Sequence, residues 1–197
     1  MSIWATSFRA RIPVPRPLTW LLVLGLFPST VQGQLTLDEA LRAAFPAPAR
    51  IERRTAFLSA SDLEAAGKQA GADVPMKQRV VTYYLAQTSN GVLGVAYFDS
   101  HRVRTLNEVL MIVVVPPGRI RNIEVLRFAE PPEYHATEPW LRQFEGRPLS
   151  PELSLKGSIR NLTGATLTST AIVRAARRAL ALHARIDPFS AGQAATP

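Results

Sequence analysis

The sequence predicts an α+β fold: one domain with an antiparallel sheet packed by a C-terminal helix. Three observations predict it. Residues 80–87 alternate branched and aromatic side chains, and Ser89-Asn90-Gly91 is a hairpin signal leading into a second alternating stretch, 92–99. Residues 108–115 form an almost continuous apolar run, as in a strand buried on both faces, and Pro116-Pro117-Gly118 turns the chain into the alternating stretch 120–128. Connections this short leave no room for crossovers, so the strands meander antiparallel. The last long segment, 168–183, has its apolar residues at helical spacing and packs on the sheet.

Taken in order, the chain opens like an export signal, residues 1–33. Arg9, Arg11 and Arg16 precede an apolar run, 18–27, and Val31-Gln32-Gly33 offers small residues before a cut ahead of Gln34. The run falls short of the ~20 apolar residues of a stable membrane span. Cleavage is therefore the expectation, with retention as an anchor the alternative. Removing residues 1–33 takes away three Arg and no acid, so the formal charge falls from +8 to +5. That balance suits acidic partners or anionic lipid surfaces. Scattered Arg, without a basic stripe interleaved with aromatics, argues against nucleic acid. There is no cysteine, which excludes disulfides, haem attachment and thiolate-held clusters, so any redox chemistry needs an organic cofactor.

Residues 34–78 read as an N-terminal helical segment. Thr36 caps a first helix with Asp38 and Glu39 in its first turn, and Pro46 and Pro48 stop it. Residues 50–57 read as an extended link. Ser61-Asp62-Leu63-Glu64 reads as a capping box for a second helix ending near Gly71. In the sheet region there is no G-x-G-x-x-G after a strand and no P-loop, so neither a dinucleotide nor a triphosphate site is supported. His101, Arg102 and Arg104 lie in the turn before residue 108, which reads as a solvated loop, with a contact to an acidic partner or a place beside a cofactor as the alternatives. His101, His135 and His183 lack ligand spacing, so no metal site is assigned. Residues 138–146 read as a short helix with Trp140, Leu141 and Phe144 on its apolar side. Residues 186–197, small and polar after Asp187-Pro188, read as a disordered tail.

The chemistry concentrates in Thr163-Gly164-Ala165-Thr166-Leu167-Thr168-Ser169-Thr170, at the entrance of the last helix. Hydroxyl side chains suit orphan N–H groups at a helix start, and the positive end of the dipole suits a phosphate. Thr-Gly-Ala-Thr-x-Thr resembles the [Ser/Thr]-Gly-Ala-Thr-x-[Ser/Thr] motif of the FMN-binding domain family. Its members include the C subunit of sodium-pumping NADH:quinone reductase, the G subunit of Rnf-type complexes and the periplasmic domain of NosR-like regulators. The resemblance extends back to about residue 83, and residues 79–185 are taken as the FMN-binding domain. It implies FMN as cofactor, joined through a phosphoester to the threonine of Gly-Ala-Thr, here Thr166, by a dedicated flavin transferase. Thr163, Gly164, Ala165, Leu167 and Thr168 would shape the pocket. An acid–Thr–Pro–Gly segment lines the flavin in the family; Glu130 and Pro132 match it, without the glycine. Tyr134 or Trp140 would be the ring-stacking aromatic, with core packing the competing role for both. The family usually has Asp three residues before the first Ser/Thr, as part of the transferase's recognition pattern, where this chain has Arg160. Lys156 and Arg160 are expected beside the phosphate, where positive charge would also favour anionic reduced flavin. Asn161-Leu162-Thr163 is formally a glycosylation sequon but lies inside the motif and is set aside.

The function implied is an exported electron carrier, with a membrane or periplasmic redox partner, rather than a stand-alone catalyst. The alternatives are a non-redox interaction or sensing module that keeps the fold, and an enzyme reducing a small molecule at the flavin. The second lacks a nicotinamide-binding fingerprint.

Overall fold

Five strands pair in the order in which they occur: β1 (Arg50–Phe57), β2 (Val80–Thr88), β3 (Gly91–Arg102), β4 (Asn107–Val115) and β5 (Arg119–Phe128), every neighbour antiparallel. This is the architecture of a computed structural model, which describes residues 35–193. The described residues group as one compact unit, and the export signal expected in residues 1–33 lies outside them.

The apolar run becomes the central strand for the reason its composition suggests. Leu110, Ile112 and Val114 of β4 face one buried cluster, while Met111 and Val113 face another. The first cluster lies beneath α4 (Thr166–Ile186), which contributes Ile172, Ala176, Ala179 and Leu180. The second lies beneath α1 (Leu37–Ala44), which contributes Ala40 and Leu41. Both faces of β4 are therefore covered, and from Val109 to Val114 no polar residue interrupts it. Thr36 and Glu39 close α1's capping box, and α2 (Ala60–Ala70) packs through Ala66 and Ala70 against Ala181 of α4.

Three expectations change. Residues 50–57 are not a link but edge strand β1, paired with β2 from Arg50↔Gln87 to Phe57↔Val80. Ser61 is not the cap of α2. Ser59 accepts from the Asp62 N–H at 3.1 Å, and the Asp62 carboxylate returns the bond to the Ser59 N–H, one box earlier than predicted. Within the expected tail, Pro188–Gln193 forms α5, and its Phe189 ring packs edge-on against His183 at 4.5 Å. Residues 138–146 contain α3 (Glu138–Leu141) and a 3-10 turn, Arg142–Phe144, with Trp140, Leu141 and Phe144 buried. Among the described residues no helix is long and apolar enough to cross a membrane.

Candidate functional site

The approach to α4 is fixed before the helix begins. Trp140 Nε1 donates to the Arg160 carbonyl at 2.7 Å, and the Arg160 N–H donates to Gln143 Oε1 at 2.9 Å. The chain then turns through residues 162–165, closed by the Ala165 N–H on the Leu162 carbonyl at 3.0 Å. Gly164, third in this turn, has φ +80°, the positive angle that a type II turn demands of that position. A Cβ there would meet nothing within 4 Å, so conformation, not space, calls for glycine.

The helix start differs from the expected cap. Its N-cap is Ala165, and no side chain caps it. The hydroxyls turn to other partners. Thr168 Oγ1 donates to the Tyr134 carbonyl at 2.8 Å, Ser169 Oγ donates to the Ala165 carbonyl at 3.1 Å, and Thr170 Oγ1 donates to the Thr166 carbonyl at 2.8 Å. The first intrahelical acceptor bond is Ser169 N–H to Ala165 C=O, which leaves the N–H groups of Thr166, Leu167 and Thr168 as orphan donors. Thr166 itself is exposed, and its Oγ1 accepts from Asn161 Nδ2 at 2.8 Å.

These donors open on a cavity of about 280 Å³ lined by Val103, Arg104, Glu130, Tyr134 and residues 164–168. Seven of the eight residues singled out by sequence thus meet: Glu130, Tyr134, Gly164, Ala165, Thr166, Leu167 and Thr168. The eighth, Thr163, is exposed on the turn and outside the lining.

Glu130 lines the cavity yet has another employment. Its Oε1 accepts from the backbone N–H groups of Arg104, Thr105 and Leu106 at 3.0, 2.6 and 2.7 Å. The Leu106 N–H above all, against the cost of desolvation and with Thr105 and Arg104 adding, holds the carboxyl below its usual range. Glu130 therefore clamps the turn that carries Arg104, and its carboxylate faces backbone rather than ligand.

Arg104 is the cation at this cavity. Lys156 and Arg160, expected there, lie outside the lining, and Arg160 joins the structure through its backbone. Trp140 likewise leaves the list of stacking candidates, since its ring packs on Phe144 with centroids 5.5 Å apart and its N–H is taken. Arg104 lay in the turn read first as a solvated loop, with a place beside the cofactor as an alternative, and Asn161 was the residue missed. The density of basic residues at 101–104 was a usable signal for the first, whereas nothing in sequence spacing marks the second.

Behind the Arg104 turn lies a chain of charges. Arg178 grips Asp99 with bonds of 2.7 and 2.8 Å, His101 Nδ1 lies 2.9 Å from Asp99 Oδ1, and His101 Nε2 lies 3.0 Å from Glu108 Oε2. Burial works against the imidazolium, but the flanking carboxylates outweigh it and raise His101 to about 9. Burial likewise opposes the Asp99 carboxylate, and His101 and Arg178 overcome this to lower it to about 2. Glu108 Oε1 is buried without a partner. His183, by contrast, is driven down to about 4 by burial and is hydrogen-bonded to the Tyr97 hydroxyl at 3.0 Å. His135 is exposed, edge-on to Phe128.

A larger cavity, about 750 Å³, opens elsewhere on the sheet and contains no residue of the Thr-rich motif. Size alone would choose it, but the orphan donors, the nearby Arg104 and the exposed hydroxyl converge at the smaller one. No curated protein matches the chain. Set against known families, residues 107–181 match the FMN-binding domain, a span from the start of β4 to near the end of α4 that holds all eight candidate residues. The match identifies residues 107–181 as similar to an FMN-binding domain and indicates FMN as the cofactor.

Proposed function

We propose that the protein is an exported flavoprotein that holds FMN as a phosphate ester on Thr166 and carries electrons for a membrane-associated redox chain. The observation that carries the reading is the meeting, at one cavity, of an exposed Thr166 hydroxyl, the orphan N–H donors of α4 and the Arg104 guanidinium. The residues fit the group. Three N–H donors at the positive end of a 21-residue helix match phosphate oxygens, and a guanidinium is a preferred phosphate partner. The cavity falls just under the ~300 Å³ at which pockets for drug-sized ligands begin, so it suits the phosphate end of FMN, with the rest lying across the rim at Leu167.

In this reading Thr166 would supply the bridging oxygen, its hydroxyl proton leaving as the transferase displaces the group previously bonded to the flavin phosphate. Asn161 fixes where that oxygen points, Arg104 and the helix start balance the phosphate charge, and Glu130 holds Arg104 in place. The flavin supplies the electron transfer, and the protein supplies attachment and electrostatics. A covalent tether makes sense outside the cytoplasm, where lost cofactor is not easily replaced. Maturation then needs a flavin transferase, and function needs a membrane or periplasmic redox partner. Arg160, standing where the family's recognition pattern has Asp, favours a second reading in which FMN binds at the same cavity without the ester.

Denaturing electrophoresis with in-gel flavin fluorescence, after co-expression with a matching transferase, separates the two. A fluorescent wild-type band that vanishes in Thr166→Ala and persists in part in Thr166→Ser is the expected result. A band surviving Thr166→Ala places the flavin on another residue. A dark wild-type band from a protein that is yellow when native leaves the non-covalent reading, and a colourless protein leaves the interaction module.

A further inference from the structure

The antiparallel order gathers the end of β1, the start of β2, the end of β3, the start of β4 and the end of β5 at one end of the sheet. That end is unlike the rest of the surface. Phe57 is 79% exposed and Val80, its cross-strand partner, is 54% exposed. Leu106 at 47% and Leu167 at 53% add to it, the first in the β3–β4 turn and the second on the cavity beside Arg104. Four of the seven large apolar residues exposed among the described residues thus lie at one end. The adjoining 750 Å³ cavity continues the surface through Val80, Tyr84, Phe98 and Leu37, where β2 and β3 part company beyond the Tyr83↔Tyr97 pair.

The exposed charges there are mainly positive. Arg53, Lys77, Arg79, Arg102 and Arg104 are exposed, and among the described residues none of them forms an ion pair. The neighbouring carboxylates are occupied or buried. Asp99 is held by Arg178 and His101, Glu108 is fully buried, and Glu130 is bound to the backbone of the turn. Among the described residues, Glu133 in the loop after β5 and Asp38 beside Leu37 are exposed acids near this surface.

We infer that this end of the sheet is a docking face for an anionic lipid surface. Exposed aromatic and aliphatic side chains ringed by unpaired Lys and Arg are what an interfacial contact requires. The apolar groups enter the headgroup boundary while the cations meet the phosphates. A bilayer is also the partner that accepts scattered apolar residues without a complementary pocket for each. The topology gives the contact a consequence, since the turn carrying Arg104 lies at the same end, so docking brings the 280 Å³ cavity to the membrane surface. The inference goes beyond the flavin assignment and does not depend on it.

The test is co-sedimentation of the exported chain, its N-terminus defined by intact mass, with vesicles of phosphatidylglycerol and phosphatidylcholine in equal parts and with phosphatidylcholine alone. The expected result is binding to the anionic vesicles alone, weakened by salt. It should fall about tenfold in the double variant Lys77→Glu/Arg79→Glu and severalfold in Phe57→Ser. These positions are exposed, so circular dichroism should report an unchanged fold. No binding to the anionic vesicles, equal binding to both kinds, or binding indifferent to these variants overturns the inference. So does equal, variant-sensitive binding to soluble polyglutamate, which would make the partner an acidic protein.

Discussion

Thr166 has its hydroxyl oriented from outside its own helix. Asn161 Nδ2 donates to Oγ1 from five residues upstream, while the hydroxyls of Thr168, Ser169 and Thr170 donate to carbonyls. Of the four, Thr166 alone keeps its hydroxyl hydrogen uncommitted. Asn161→Ala should slow flavin attachment severalfold in a timed fluorescence assay and leave stability within about 0.5 kcal/mol, as expected of an exposed position. An unchanged attachment rate would remove Asn161 from the site. Thr168→Val, which removes a buried donor and leaves the Tyr134 carbonyl unanswered, should cost about 1 kcal/mol by chemical denaturation. Thr163→Ala should cost almost nothing, because Thr163 is exposed and lies outside the cavity lining. The motif made Thr166 legible because its spacing is local. Arg104 was legible only as an alternative, since it reaches the cavity through a turn held by a carboxylate 26 residues away, and Asn161 was not legible, since no spacing encodes its loop geometry.

At the scale of elements, β3 ties the sheet to α4 through two histidines with opposite pH responses. His101 is raised from 6.5 to about 9, so its contribution is complete below pH 6.5 and is lost as pH climbs toward 9. His183 is lowered from 6.5 to about 4, so its contribution is present above pH 6.5 and is lost as pH falls toward 4. Asp99, lowered from 3.8 to about 2, adds a further loss below pH 3.8. Thermal stability should therefore peak near neutral pH. His101→Gln should flatten the fall between pH 6.5 and 9 relative to its own maximum, and a variant with the wild-type alkaline slope would refute the linkage. On the other face of the same argument, β4 was legible because burial on both sides leaves residues 109–115 without a polar register. Leu110→Ala or Ile112→Ala should cost about 2–5 kcal/mol. Strand β1 was hidden for the converse reason. It lies at the sheet edge, and Arg50, Glu52, Arg53 and Arg54 make it look like a solvated link, as charged edge strands do.

The described residues form a five-stranded meander whose two faces they cover unequally. Long α4 lies over one face and short α1 over part of the other. The part α1 leaves open is continuous with the exposed apolar end, and that is where the lipid-docking inference belongs. The meander was readable from the sequence because its turns are short and its hairpin residues specific. The capping register of α2 was not, because Ser59 and Ser61 both precede acids three residues on, and only the entry angle from β1 chooses between them. The central claim remains that one hydroxyl holds the cofactor. Intact mass spectrometry of the exported protein, matured with its transferase, addresses it most directly. The account predicts a chain heavier by one FMN less one water, with the addition absent from Thr166→Ala. Flavin-free mass in the wild type, or an addition that persists in Thr166→Ala, would contradict it.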